Sequence, residues 1–181
     1  GTVTLPTDPN SGVTGMSTGV NTFTWTITNG TCTPSADDIT ITVDPLPTTA
    51  NAGVDQTICS ATATLAANTP VIGTGVWTVT AGTGTVTTPT SPTSGVTGMS
   101  TGVNTFTWTI TNGTCTPSSD AVTINVDPLP TTANAGIDQT LCSPNATLAA
   151  NTPLIGTGVW TVTAGTGTVT TPSSPTSGVT G

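Results

Sequence analysis

The sequence repeats itself with a long period, and this repetition constrains the fold more than any other feature. The run GVTGMSTGVNTFTWTITNGTCTPS begins at Gly12 and again at Gly95, which gives an 83-residue period. Residues 51–98 differ from 134–181 at 6 of 48 positions, and residues 1–50 differ from 84–133 at 7 of 50. Such a unit is too long for a solenoid repeat but long enough for a small domain with its own core. We therefore expect a beads-on-a-string array.

The array predicts three segments with defined boundaries. Residues 1–50 form the C-terminal part of one repeat, 51–133 a complete repeat, and 134–181 the N-terminal part of the next. The two partial repeats together exceed one unit by 15 residues, so they cannot complete each other between chains without residues 1–15 and 167–181 competing for one place. We therefore expect the covalent chain to continue beyond Gly1 and Gly181. As isolated ends, the partial repeats would expose Phe23, Trp25 and Trp160.

Within the complete repeat, apolar and polar residues alternate with a period of two, which indicates half-buried β-strands. The clearest case is 103–110, where Phe106, Trp108 and Ile110 fall on one face and threonines on the other. A second strand at 122–126 follows the turn-forming residues 112–120, which predicts a hairpin over 103–126. Shorter strands are predicted at 62–67, 76–80, 85–88 and 95–99, and no segment has helical periodicity.

About seven short strands with frequent turns predict an all-β fold of tandem immunoglobulin-like (PKD-like) β-sandwich repeats. A β-helix would need a short internal period, and the sequence has only the long one. We expect outward-facing side chains at Thr105, Thr107, Thr109 and Thr123. The residues expected in the core are Leu65, Trp77, Val79, Phe106, Trp108, Ile110, Ile124 and Val126, together with Trp25 and Trp160 in the flanking repeats.

The segments that join the repeats, 43–53 and 126–136, are rich in proline. Pro45 and Pro47 in the first segment, and Pro128 and Pro130 in the second, end the preceding strand and favour an extended, semi-rigid connection. This composition predicts an elongated rod.

The composition excludes several classes of function. Lys, Arg and His are absent, and the eight acidic residues give a net charge of −8. Without cations the chain cannot neutralise phosphates, which argues against nucleic-acid partners and against attraction to anionic lipid. No apolar run approaches the ~18 residues of a membrane span, so direct membrane insertion is not expected. General acid–base chemistry usually needs His, Glu, Lys or Tyr, none of which is present. We therefore expect that the protein is not an enzyme.

Several runs resemble a known repeat family. They are ANAGVDQT at 50–57, Trp77, NTFTWTITNG at 104–113 and VTINV at 122–126. These runs are similar to PKD-type and related Ig-like repeats, and the variant with Cys after DQT and after NGT resembles repeats of giant Bacteroidota cell-surface adhesins used in gliding motility. The resemblance implies a long surface filament exported by type IX secretion. Its implied partners are neighbouring repeats of the same chain, the motility and secretion machinery of the cell envelope, and an external surface or polysaccharide.

The four cysteines, two per repeat, predict disulfides in an oxidising compartment. Pairing within the complete repeat would join Cys59 to Cys115 and leave Cys32 and Cys142 with partners outside 1–181. The rival pairs are Cys32–Cys59 and Cys115–Cys142, across the linkers. The first scheme is favoured because the turn that holds Cys115 should lie at the N-terminal end of its repeat, roughly a domain length from Cys142.

Three other features have a structural and a functional interpretation. The aspartates that flank the linkers could bind Ca²⁺, although two per junction are few for an ion that takes six to eight oxygens. The sequons at Asn29, Asn112 and Asn145 could carry glycans, although Asn-Gly also forms turns. The tryptophans could stack on sugars, but their alternation with threonine favours the core. The flanking aspartates are Asp44, Asp55, Asp127 and Asp138.

These features predict a non-enzymatic spacer and adhesive stalk of an extracellular surface filament, without a cofactor. One alternative is a carbohydrate-binding or spacer module array of a secreted polysaccharide-degrading enzyme, which an exposed aromatic platform would favour. Another is a self-assembling extracellular matrix or sheath fibre, which regular contacts between chains would favour.

Overall fold

The structure is a computed structural model that describes residues 1–181, and it consists of strands and turns without helices. It therefore contains no helix able to cross a membrane. Contacts within the chain divide it into two compact units, Gly1–Val126 and Asp127–Gly181. The strands are β1 Thr2–Val3, β2 Val13–Thr14, β3 Gly19–Ile27, β4 Ser35–Val43, β5 Gln56–Ile58, β6 Ala63–Thr64, β7 Thr74–Ala81, β8 Thr85–Val86, β9 Gly95–Thr97, β10 Gly102–Thr111, β11 Ser118–Val126, β12 Ala146–Thr147, β13 Thr168–Val169 and β14 Gly178–Thr180.

The complete repeat holds two sheets. The larger has the strand order β5-β11-β10-β7, and the smaller has the order β6-β9-β8. The β10–β11 hairpin is antiparallel from Gly102 opposite Val126 to Ile110 opposite Ser118. β7 pairs antiparallel with β10, whereas β5 runs parallel to β11. This all-β arrangement, which is not a closed barrel, is consistent with a β-sandwich.

The core of the complete repeat draws on both sheets. Trp77 and Trp108 pack with ring centroids 5.2 Å apart at an interplanar angle of 45°, and Leu65 and Val96 come from the chain after β6 and from β9. The indole N–H of Trp108 is buried without a hydrogen-bond partner, a cost of about 1–3 kcal/mol that ring packing must outweigh. The buried apolar residues are Ala50, Ala52, Leu65, Trp77, Val96, Met99, Phe106, Trp108, Ile110, Val122, Ile124 and Val126.

The alternation of the sequence matches the faces of the central strands. Along β10 the odd-numbered threonines are half-buried, whereas Phe106, Trp108 and Ile110 are fully buried. The prediction for Val79 was wrong, because this side chain is 41% exposed. Val79 lies on the edge strand β7, opposite Phe106, where the pairing with β10 shifts register between Thr105 and Phe106. Because β7 is the outermost strand and its pairing is irregular here, no neighbouring strand shields Val79 from solvent.

The first partial repeat contributes a hairpin in which β3 pairs only with β4. Its register repeats that of the complete repeat, from Gly19 opposite Val43 to Ile27 opposite Ser35. Trp25, the counterpart of Trp108, is 42% exposed. It therefore does not lie in a core in this chain, as expected for a partial repeat without its other half. The reason is that β3 lacks a partner equivalent to β7, whose tryptophan would cover the ring.

The unit Asp127–Gly181 holds a three-stranded sheet of order β12-β14-β13. Its backbone hydrogen bonds repeat those found one period earlier: Leu65 N–H donates to Ser94 O at 2.8 Å and Leu148 N–H to Ser177 O at 2.8 Å. Residues 157–164, the counterpart of β7, form no strand, because no β10 is available to pair with them. Trp160 is accordingly only half-buried rather than a core residue.

Gly75 allows the two tryptophans to meet. It is buried on β7, and a Cβ atom there would overlap the ring of Trp108. Gly158, its counterpart in the next repeat, has no atom within 4 Å of a Cβ position. We expect Gly75→Ala to lower the free energy of unfolding by about 1–3 kcal/mol through overpacking, and Gly158→Ala to leave it nearly unchanged. Urea unfolding of both variants tests this, and equal effects would contradict it.

Trp108 and Trp25 form a second matched pair. Trp108→Ala should destabilise its domain by about 3–5 kcal/mol, because it leaves a large cavity beside Trp77. Trp25→Ala should cost clearly less, since its ring is already 42% exposed. Thermal unfolding followed by circular dichroism measures both, and the prediction fails if the Trp25 variant loses as much stability.

Candidate functional site

Several long-range polar contacts meet where the linker before the complete repeat contacts a hairpin turn of that repeat. We define the linker as residues 44–52, the part of the segment 43–53 that follows β4 and ends before Gly53. The turn is residues 112–117, which connect β10 to β11. The Asn-Gly sequence builds the turn, with Gly113 at a φ of 52°, and the amide of Cys115 donates to the carbonyl of Asn112 at 3.1 Å. The turn thereby presents its side chains to the linker that precedes the repeat.

Three groups of the turn contact the first two residues of the linker. The Asn112 Nδ2 atom donates to the Pro45 carbonyl at 2.8 Å. The amide of Thr114 donates to Asp44 Oδ2 at 3.4 Å. The Cys115 Sγ atom lies 3.5 Å from the Asp44 carbonyl and 3.4 Å from that of Pro45. The turn therefore lies at the N-terminal end of its repeat.

Strand β11 binds the end of the linker through two side-chain acceptors. Ser118 Oγ accepts the amide of Ala50 at 2.9 Å, and Asp120 Oδ2 accepts the amide of Ala52 at 2.7 Å. Both alanines belong to the buried core. Hydrogen bonds to a carboxylate are among the strongest that a backbone amide makes, so β11 anchors the end of the linker.

The linker is also bonded to the first half of its own repeat, and the same bonds recur one period later. Thr48 Oγ1 accepts the amides of Val71 at 2.9 Å and Ile72 at 2.8 Å. In the second unit Thr131 Oγ1 accepts two amides at 2.9 Å, from the counterparts of those residues. Asn68 Nδ2 donates to the Thr49 carbonyl at 2.9 Å, and its counterpart does likewise at 3.0 Å. Each linker is thus part of the repeat that follows it.

The cysteines are all free thiols in the structure, and Cys59 and Cys115 lie at opposite ends of β11. Cys59 follows Ile58, which pairs with Val126 at the end of β11, whereas Cys115 precedes Ser118 at its start. A strand of nine residues separates these ends by about 27 Å, far beyond the ~7 Å limit for the Cα atoms of a disulfide. The predicted Cys59–Cys115 pairing is therefore wrong, and the rival pairs, with Cys32 and Cys142, are not formed either.

Two of the four aspartates considered for Ca²⁺ accept hydrogen bonds from the backbone. Asp44 accepts the Thr114 amide, and Asp55 Oδ1 accepts the amide of Thr123 at 2.8 Å. No group of three or more His, Cys, Asp or Glu side chains is arranged to hold a metal ion. Among the sequons, Asn112 is half-buried with its amide committed to Pro45, while Asn29 and Asn145 are exposed.

The tryptophans of the complete repeat offer no flat surface to a sugar, since Trp77 and Trp108 are 2% and 0% exposed. In the second unit, a cavity of about 660 Å³ lies beside Trp160, lined also by Ile155 and Pro175. The counterpart of Trp160 is Trp77, which is covered by Trp108. The cavity beside Trp160 therefore lies where, in the complete repeat, the ring of Trp108 packs against Trp77.

Asn112 and Asn29 occupy the same turn position in two hairpins, but only Asn112 meets a linker. Asn112→Asp replaces the donating NH₂ group by an oxygen that faces the Pro45 carbonyl. We expect a loss of about 1–3 kcal/mol in the free energy of unfolding. Asn29→Asp, on an exposed side chain, should be nearly silent. Chemical denaturation of both variants decides, and equal losses would show that the turn rather than the linker contact is disturbed.

Asp120 should anchor the linker through the Ala52 amide. Asp120→Ala leaves that amide buried without a partner, so its hydrogen exchange should accelerate and stability should fall by about 1–3 kcal/mol. Asp120→Asn keeps an acceptor oxygen and should largely retain protection. Asp37→Ala, at the exposed counterpart, is the control. Unchanged exchange at Ala52 in Asp120→Ala would contradict this role.

Comparison with known proteins leaves the family of this chain open. No family model matches the sequence, and no curated protein matches it. The long sequence period, the bonded linkers and the buried tryptophans are therefore the basis for a functional proposal.

Proposed function

We propose that this chain is a structural repeat segment of a giant extracellular adhesin filament at the cell surface. The observation that carries the proposal is the bonded linker. Residues of both linkers, one period apart, make the same hydrogen bonds to the repeat that follows. A linker that is bonded to the following repeat leaves few unbonded residues between repeats, which suits a stalk that must hold an adhesive end away from the cell.

The strand order supports tandem Ig-like repeats. In an immunoglobulin-like sandwich, strands B, E and D share one sheet, and C, F and G share the other. Named in chain order from A to G, the complete repeat has the sheets A-G-F-C and B-E-D. The parallel pairing of β5 with β11 corresponds to a first strand that crosses to the last.

The surface chemistry also suits an exposed extracellular stalk. Because Lys and Arg are absent, the chain offers no site to trypsin-like proteases. The net charge of −8 opposes non-specific lateral association. Each repeat folds through contacts within itself and its linker, so a long array can refold one domain at a time after stretching.

The partners follow from the resemblance to gliding-motility adhesins. They are neighbouring repeats of the same chain, the secretion and motility machinery of the cell envelope, and an external surface or polysaccharide. Export by the type IX system belongs to the same proposal. A carbohydrate-binding array is less well supported, because the two tryptophans of the complete repeat are buried.

Labelling of intact cells tests this function. An antibody raised against residues 51–133 should bind unpermeabilised cells that produce the protein, and the intact protein should have a mass of several hundred kDa. Deleting several repeats in frame should shorten the surface filament and weaken attachment to glass or polysaccharide. Labelling only after permeabilisation, or a protein of tens of kDa, would overturn the proposal.

A further inference from the structure

We propose that each junction of the array is a disulfide site formed by two successive repeats. The bond would join the cysteine that follows the first strand of one repeat to the cysteine in the hairpin turn of the next. In this chain Cys59 follows the first strand β5, and Cys142 is its counterpart one period later. Cys32 and Cys115 lie in the hairpin turns. The inference rests on the proposed tandem array, since the two partners of any bond belong to different repeats.

The turn cysteine is already held at a junction. Cys115 Sγ is half-buried and lies 3.5 Å from the carbonyl of Asp44, the first residue of the linker. It is therefore directed at the point where the preceding repeat ends. No residue of its own repeat brings a second thiol to this place, because Cys59 lies at the far end of β11.

The first-strand cysteine of the preceding repeat would lie at the same point. Cys59 directly follows Ile58, whose parallel partner Val126 is the last residue before the second linker. Val43 is the counterpart of Val126 in the preceding repeat. In the proposed array the preceding repeat has the same first strand, so its cysteine would follow a residue paired with Val43 and lie beside Asp44.

The free edge of β4 has room for this first strand. β4 pairs only with β3, whereas β11 carries β5 on its second edge. Neighbouring strands are about 4.8 Å apart, so the first-strand cysteine would lie one strand spacing from Asp44. The carbonyl of Asp44 is 3.5 Å from Cys115 Sγ, so both cysteines would be beside the same residue. Each junction would hold one first-strand cysteine and one turn cysteine, so every cysteine within the array would have a partner.

The chemistry requires an external disulfide as oxidant. One thiolate of the junction attacks that disulfide, forms a mixed disulfide and releases one thiol. The second junction thiolate then displaces the other half of the reagent. Two junction thiols thus lose two protons and two electrons, and the reagent is reduced to two thiols. The resulting bond would connect consecutive domains in parallel with the linker, so tension would no longer fall on the linker alone.

The test uses this chain with a second copy of residues 51–133 inserted after Ala133. Two variants retain two cysteines each, with the others changed to serine. The first retains Cys59 and the turn cysteine of the inserted copy, which are the proposed partners. The second retains Cys59 and Cys115, which share a repeat. Both are treated with oxidised glutathione, and their free thiols are counted by maleimide labelling and mass spectrometry.

We expect the first variant to become a monomer with an internal disulfide and no free thiol. The second should show no internal disulfide. Thermal unfolding of each reduced protein confirms that it is folded before oxidation. A folded first variant that fails to close, or a second variant that closes equally well, would overturn the proposal. Either result would leave the filament proposal intact, because surface labelling of cells tests that independently.

Discussion

The packing of Trp108 against Trp77 is the contact on which the complete repeat depends. It joins the central hairpin to the edge strand β7 and fills the space beside Gly75, where a Cβ would overlap the ring. With only two tryptophans and one phenylalanine per repeat, a small domain has few other large side chains to bury. The flanking segments show the consequence, because Trp25 and Trp160, without this partner, stay partly exposed.

The hairpin that carries Trp108 also organises the junction. Its turn holds the start of the linker through Asn112, and the first residues of β11 hold the end through Ser118 and Asp120. The linker thereby becomes part of the following domain rather than a free tether. This arrangement explains how a chain with few charged side chains, none of them cationic, can still have an ordered linker. Side chains of the repeat form hydrogen bonds with the Pro45 carbonyl and with the amides of Ala50 and Ala52 in the linker.

The fold class and the faces of the long strands were predictable because period-two alternation translates directly into sheet faces. Phe106, Trp108 and Ile110 are buried as expected, and the seven strands fall in 51–133. Val79 was misplaced because alternation contains no information on whether a strand is central or at an edge. The three-residue strand β5 was not predicted, since its pairing is non-local and its sequence is too short for a period.

The sequence by itself determined the repeat period, the hairpin, the proline-rich linkers and the absence of cationic side chains. Only the tertiary structure decided where the cysteines lie. Two cysteines per repeat suggested a bridge within the repeat, but the parallel pairing of β5 with β11 places Cys59 and Cys115 at opposite ends. The physical reason is that a strand's direction in a sheet depends on distant partners, whereas its periodicity depends only on its own residues.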